Sequence, residues 1–399
     1  MKQWKAISLF AGAGGCSLGF KMAGVSIIAA YENNQAAIDT YNRNFDEGVC
    51  HNVDLSKCDF TQIRSELGLN RGELDIVIGG PPCQGFTTAG SRFWDDPRNS
   101  LVRNYAQALE SLYPRWFMME NVEGILTTAN GIYIVECVKK MIELGYSVYL
   151  KKVYMQEYGI PQRRKRVIII GNREGKRFEF PAVKETAVGA IYKKTSVTLR
   201  DAIEDLEGKE IPQIDHIPRK ESDIQLKRIS ALAVGQSMKD LPDDLQNDSF
   251  KRRSHRRVCD GTPLEKRGGP PSGMKRLSYD EPCLTITSAA TSEFIHPVLD
   301  RMLTMRECAR VQTFPDSFTF VGNDAQKILQ IGNAIPPCFA RQIAEQIIIC
   351  DDNKSEEKSA SLVICDVTKS TAKSPALSRT CSMLETLMPQ EYIQIAMEV

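Results

Sequence analysis

Cys83 stands in Gly79-Gly-Pro-Pro-Cys-Gln-Gly-Phe86, after the buried-looking run LDIVI. Two prolines stiffen the backbone before it and place its sulfur at a strand end, in a loop, where a thiolate can act as nucleophile. Most of the other cysteines are expected as small core residues. Glu120, in Met119-Glu-Asn-Val122, ends another apolar run. A carboxyl partly desolvated beside a reactive thiol can hold a proton near neutral pH, as general acid catalysis requires; the plainer role is a cap for the next helix. Gln162-Arg-Arg-Lys-Arg166 precedes the apolar VIIIG, a position that suits phosphate or base contact better than a solvated face.

A second group of residues points to a nucleoside cofactor. Phe10-Ala-Gly-Ala-Gly-Gly15 follows the strand-like AISL and opens a helix-like segment. Glycines at such a turn let the backbone approach a ligand and aim N–H groups at it. Glu32 ends the next strand-like run, where a carboxylate can accept from ribose hydroxyls. Asp54, after a third short run, can accept from an adenine amino group. Each acid alone reads as a solvated loop residue; with the glycine turn they describe one pocket.

These residues need a scaffold that gathers strand ends. Short apolar runs (AISLF, VSIIAAYE, LDIVIGG, RWFMMENV, VIIIG) alternate with helix-length segments such as 34–45 and 99–113. The alternation predicts an α/β fold with a doubly wound, mostly parallel sheet, whose ligands lie at the carboxyl ends of the strands. From residue 172 to about 300 the chain is rich in Pro, Gly and charge, and between Lys251 and Arg276 nine Lys/Arg face two Asp/Glu. A smaller, basic domain of irregular and β structure is expected there. The expected division is a cofactor-binding catalytic domain over 1–180, a target-recognition domain over 181–300, a return segment over 301–350 and a C-terminal tail over 351–399. The tail opens on DDNKSEEKSAS and reads as a linker or appendage. His216 and His255 read as surface residues.

Composition removes other classes. The 399 residues carry a formal net charge of +1 and 42% apolar content, enough for a full core and unlike a disordered chain. No CxxC pair or His cluster accompanies the twelve cysteines, so no metal site or disulfide framework is expected, and a reducing cytoplasm fits. Neither a signal peptide nor an apolar stretch of membrane-spanning length is present, so no membrane partner is expected.

FAGAGG, GGPPCQGF, ENV, QRRKR, RMLTMRECARVQTFP (301–315) and IGNAIPP (331–337) together resemble the ordered motif set of the bacterial DNA cytosine-5 methyltransferases. The resemblance implies a Rossmann-like methyltransferase core with a target-recognition domain, acting on double-stranded DNA at a specific short sequence. It implies that Phe10, Gly12, Gly14, Glu32 and Asp54 hold S-adenosylmethionine, with Asn333 closing the pocket. Pro82 and Cys83 would form the nucleophile motif, Glu120 the acid at ring nitrogen 3, and Arg164 and Arg166 would steady a flipped cytosine and nearby backbone. Ser8 departs from the Asp the family often carries there. The loop TTAGSRFWDDPRNS, with Gly90 and Arg92, is expected to close over the flipped base. A restriction endonuclease acting on the same site is a further expected partner. Three alternatives compete. A tRNA cytosine methyltransferase is set against by the basic insertion, and a silent DNA-binding relative by intact Cys83 and Glu120. A dehydrogenase is set against by the lack of GxGxxG spacing.

Overall fold

A computed structural model describes residues 3–46, 49–82, 100–182, 197–251, 273–353, 361–367 and 374–387. Cys83, segment 84–99, residues 252–257 of the basic run and His255 lie outside the described residues. The chain divides into two units, one of residues 1–158, 164–185 and 334–399, the other of 159–163 and 186–333. The return to the first unit therefore falls at Ala334, later than residue 301.

Among the described residues, the first unit has eight strands: β1 Lys5–Leu9, β2 Ser26–Glu32, β3 Cys50–Asn52, β4 Ile76–Gly79, β5 Trp116–Val122, β6 Ser147–Tyr154, β7 Lys165–Asn172 and β8 Leu362–Cys365. Their order in the sheet is β8-β6-β7-β5-β4-β1-β2-β3. All neighbours are parallel except β7, which runs antiparallel to β5 and β6. The helices are α1 Gly15–Met22, α2 Gln35–Asn44, α3 Phe60–Glu66, α4 Ser100–Leu112, α5 Ile132–Glu143, α6 Pro337–Asp352 and α7 Pro375–Glu385. Continuous apolar runs make the central strands: Ala6, Ile7, Val77, Ile78, Phe117, Met119 and Ile168 to Ile170 are fully enclosed, as strands covered on both faces must be. Strand order reverses between β1 and β4, and the crevice beyond their carboxyl ends is where ligands of open α/β sheets bind.

The C-terminal segment corrects the expectation of a linker or appendage. Strand β8 pairs in parallel with β6 over four residues, from Leu362 on Val148 to Cys365 on Lys151. Leu377 and Leu384 of α7 join the apolar core of the sheet. The strand is short and follows a polar stretch, so its period-two signal is weak in sequence.

In the second unit, the described strands are two-residue pairs, such as Lys275–Arg276 with Phe294–Ile295, between short helices. Side chains bonded to backbone hold it. Arg306, 1% exposed, donates to the carbonyls of Ile214 (2.6 Å), Pro315 (3.0 Å) and Phe318 (2.9 Å). Arg276 donates to Leu232 O and Ile229 O, and Arg301 makes two bonds to Glu307. His216 is not a surface residue: it is fully buried, with Nδ1 2.8 Å from Thr304 Oγ1 and Nε2 3.0 Å from Leu206 O. A carbonyl only accepts, so Nε2 carries the proton.

Candidate active site

Strand ends at the reversal point gather most of the candidate residues of the first unit. After β1 the chain turns through Phe10 (φ 53°), Gly12 (φ 54°) and Gly14 (φ 96°), all left-handed. A side chain at Gly14 would strike Phe45 at 2.6 Å and Tyr41 at 2.9 Å, so only glycine fits under the start of α1. Above Gly12, by contrast, the space is open. Glu32 ties this turn to the end of β2: its Oε2 accepts from Gly12 N (2.9 Å), and its Oε1 accepts from Asn33 N (2.9 Å) and Asn34 N (3.0 Å). Asp54, beyond β3, is more exposed. Its Oδ1 accepts from the amide and hydroxyl of Ser56, which with Lys57 hold its carboxyl below the ordinary carboxylate range.

Beyond β4 and β5 the geometry is tighter. Arg166 Nε lies 2.6 Å from Glu120 Oε1, with both side chains largely enclosed. The contact is ionic rather than a straight hydrogen bond, since neither atom has a hydrogen-bond partner. The other carboxylate oxygen, Oε2, faces the loop after β4, where a methyl group built on Gly80 would sit 3.2 Å away. Asn121 Nδ2 donates to Pro81 O (3.2 Å), and Asn121 Oδ1 accepts from Val122 N (2.8 Å). The sequence motif contained Asn121 without assigning it a task; its amide ties the acid's strand to the chain entering Cys83. Pro82, half-buried, is the last described residue before Cys83.

Arg164 is fully enclosed, and its Nη2 donates to Ala334 O (3.1 Å). Burial, with the Arg166 charge beside it, pulls its guanidinium well below the ordinary arginine range. Two adjacent guanidiniums at a strand end favour acceptor or anionic groups nearby. Thus Phe10, Gly12, Gly14, Glu32, Asp54, Pro82, Glu120, Arg164 and Arg166 all belong to the first unit. Asn333 belongs to the second, exposed at the end of the helix Asp324–Asn333. Several other thiols are driven away from reactivity: burial pushes Cys137 and Cys283 up to about 12, and burial together with the Glu120 charge raises Cys16 further.

A doubly wound sheet with a glycine turn, an acid closing the next strand and a Pro81-Pro82 segment, which precedes Cys83 in sequence, bonded to the strand of a buried Glu–Arg pair defines the methyltransferase class. The match is specific: the C-5 cytosine-specific DNA methylase family covers residues 4–349, and the chain belongs to it. It is a DNA cytosine-5 methyltransferase. Among its relatives, the Type II methyltransferase M.AgeI of Thalassovita gelatinovora is 31% identical over 86% of this chain and 99% of its own length. M1.HphI of Haemophilus parahaemolyticus, also a Type II methyltransferase, is 32% identical over 87% of each chain. A prophage-encoded E. coli protein described as a DNA modification methyltransferase shares the fold, with a TM-score of 0.68 at 23% identity over 88% of this chain and all of its own. Among the described residues, no helix is long and apolar enough to cross a membrane.

Proposed function

We propose that the chain methylates carbon 5 of a cytosine within a short recognition sequence of duplex DNA, with Cys83 as nucleophile and Glu120 as acid. One observation carries the assignment: Glu120 is fixed through Oε1 by Arg166, turns Oε2 to Gly80, and is followed by Asn121 bonded to Pro81. The acid and the start of the nucleophile's loop are thereby one unit, built on two adjacent parallel strands.

The chemistry requires both groups. Carbon 5 of cytosine is a poor nucleophile until the ring is activated. The Cys83 thiolate adds to carbon 6, and the displaced π electrons reach nitrogen 3, which takes a proton from Glu120. Carbon 5 of the resulting enamine takes up the methyl group. Loss of the carbon 5 proton, breaking of the S–C6 bond with return of the electron pair to the thiolate, and return of the nitrogen 3 proton to Glu120 then restore the ring. Because carbon 6 is stacked within a duplex, the base must swing out, at a cost of a few kcal/mol. Arg164 and Arg166 would steady it there. Lys and Arg of the basic segment would neutralise phosphates while polar side chains of the second unit read base edges.

The turn and acids of the first unit fit S-adenosylmethionine. Bound there, it supplies an electrophilic methyl on a sulfonium. The open space over Gly12 admits a ligand against the backbone, and Glu32 spends three acceptor sites on backbone amides, leaving capacity on Oε2 for a ribose hydroxyl. Asp54 turns Oδ1 to Ser56 and Oδ2 to Lys57 (3.3 Å), and its exposed carboxylate would accept from an adenine amino group, while Phe10, Gly14 and Pro82 shape the walls. The relatives named as Type II methyltransferases support a DNA-modification enzyme, and a companion endonuclease acting on the same site is the partner that reading proposes.

The test is transfer of labelled methyl from S-adenosylmethionine to mixed-sequence duplex DNA and to tRNA, with wild type and Cys83→Ser. Labelled 5-methylcytosine in DNA that vanishes in the variant is the expected result. Label confined to tRNA, or none in either, would overturn the proposal.

A further inference from the structure

The chain leaving Glu120 does not run directly into a helix. A 3-10 turn, Glu123–Leu126, is followed by Ala129 (φ 50°, ψ 35°), Asn130 (φ 53°, ψ 32°) and Gly131 (φ 81°), three successive left-handed residues at the entrance to α5. Non-glycine residues hold this conformation at a cost, and keep it where the surroundings leave no alternative.

Thr380 of α7 supplies that constraint. It is fully buried, and its Oγ1 lies 2.7 Å from Leu126 O and 2.9 Å from Ala376 O, so one hydroxyl proton is shared between the strained segment and its own helix. It also fills the place a side chain at residue 131 would take: a Cβ there would fall 2.0 Å from Thr380 Oγ1. The near end of the same segment is held as well. Glu123 Oε1 sits 2.6 Å from Nζ of Lys152, which is 1% exposed on β6, and β6 is the strand against which β8 pairs. Both Thr380 and β8 come from the C-terminal segment, which lies beyond the residues the family matches.

We propose that Thr380 is a positioning residue for methyl transfer. It holds the left-handed turn 129–131 and, through it, the end of β5 that carries Glu120 and Asn121. Because Asn121 bonds to Pro81, a shift of that strand end displaces the acid and the approach to Cys83 together. The inference rests on the reading of Glu120 as the acid. It gives the C-terminal segment a task the shared fold alone does not demand: a brace on the catalytic strand.

The test uses the full chain, labelled S-adenosylmethionine and mixed-sequence duplex DNA, with kcat expressed per folded molecule from the thermal melt. Thr380→Val removes the donor and keeps the shape; Thr380→Ser keeps the donor. Small displacements of reacting groups cost one to two orders of magnitude, so Thr380→Val is expected to lower kcat about tenfold. Both KM values should stay within about twofold of wild type, and Thr380→Ser should recover most of kcat. Equal kcat for Thr380→Val and wild type, or a loss seen only in KM, would overturn the positioning role alone, provided that wild type is active and Glu120→Gln is not. An inactive wild type, or Glu120→Gln as fast as wild type, would bring down the reading of the site and the positioning role with it.

Discussion

The two units solve the problem of placing polar side chains in opposite ways. In the first, the sheet does it: strands buried on both faces stop at one edge, and Glu32, Glu120 and the loops after β1 and β4 are set by where the strands end. In the second, the described strands are two residues long, and buried charged side chains do what ladders do elsewhere. Arg306 and Arg276 satisfy loop carbonyls, and Glu307 accepts from Arg301 and from Thr304 N. Arginines bonded to carbonyls fix loops without regular secondary structure, which suits the DNA-reading role proposed for this unit. Damage to the first unit should therefore appear in chemistry, and damage to the second in shape.

The largest effects belong to the chemistry. Cys83→Ser should reduce methyl transfer by at least about 10⁴-fold with folding intact, measured by label incorporation and a thermal melt. Glu120→Gln should lower kcat by about 10²- to 10⁴-fold, the range expected for a positioned acid, with KM for DNA little changed. Arg306→Met in the second unit strands three buried carbonyls and should cost about 3 kcal/mol in urea unfolding, with DNA affinity falling and isolated S-adenosylmethionine binding retained. An equal loss of both binding activities would erase the contrast.

A pH effect sharpens the same comparison. His296 Nδ1 accepts from Val298 N and Leu299 N, and Nε2 faces the Tyr279 hydroxyl, so the neutral ring is the one that fits. Burial brings it down to about 4 from 6.5. The unfolded chain therefore binds the extra proton between those values. Stability of the second unit is full above pH 6.5 and falls as pH drops towards 4, by about 3 kcal/mol, in urea titrations at stepped pH. His296→Gln should flatten the slope. The smallest effect is expected from Asp54→Ala, where loss of one exposed acceptor should raise KM for S-adenosylmethionine about fivefold and leave kcat unchanged.

Where the sheet rules, the sequence was readable. Apolar runs end in Gly, Pro, Glu or Asp because a buried strand must stop before the chain can turn or meet a ligand; the stops at Phe10, Glu32 and Gly79 fall at strand ends, and Glu120 lies two residues before the end of β5. The role of Asn121 was not readable, because a bond to Pro81 depends on which strands are neighbours, and spacing along the chain does not encode that. His216 misled for a related reason: a lone histidine in a polar segment looks solvated until Thr304, distant in sequence, and the carbonyl of Leu206 are folded around it. The C-terminal segment hid its strand because Leu362–Cys365 is only four residues long, and its partner, β6, lies far upstream.

The central claim is covalent attack by Cys83 on the cytosine ring, and it can be tested by stalling the reaction. In duplex DNA carrying 5-fluorocytosine in place of cytosine, a methylated adduct has fluorine where a proton must leave, so the S–C6 bond cannot be released. Incubation with the full chain and S-adenosylmethionine, followed by denaturing separation and peptide mass mapping, should give a protein–DNA adduct on the peptide containing Cys83, absent from Cys83→Ser. Methyl transfer to ordinary DNA without any such adduct, or an adduct on another residue, would contradict the account.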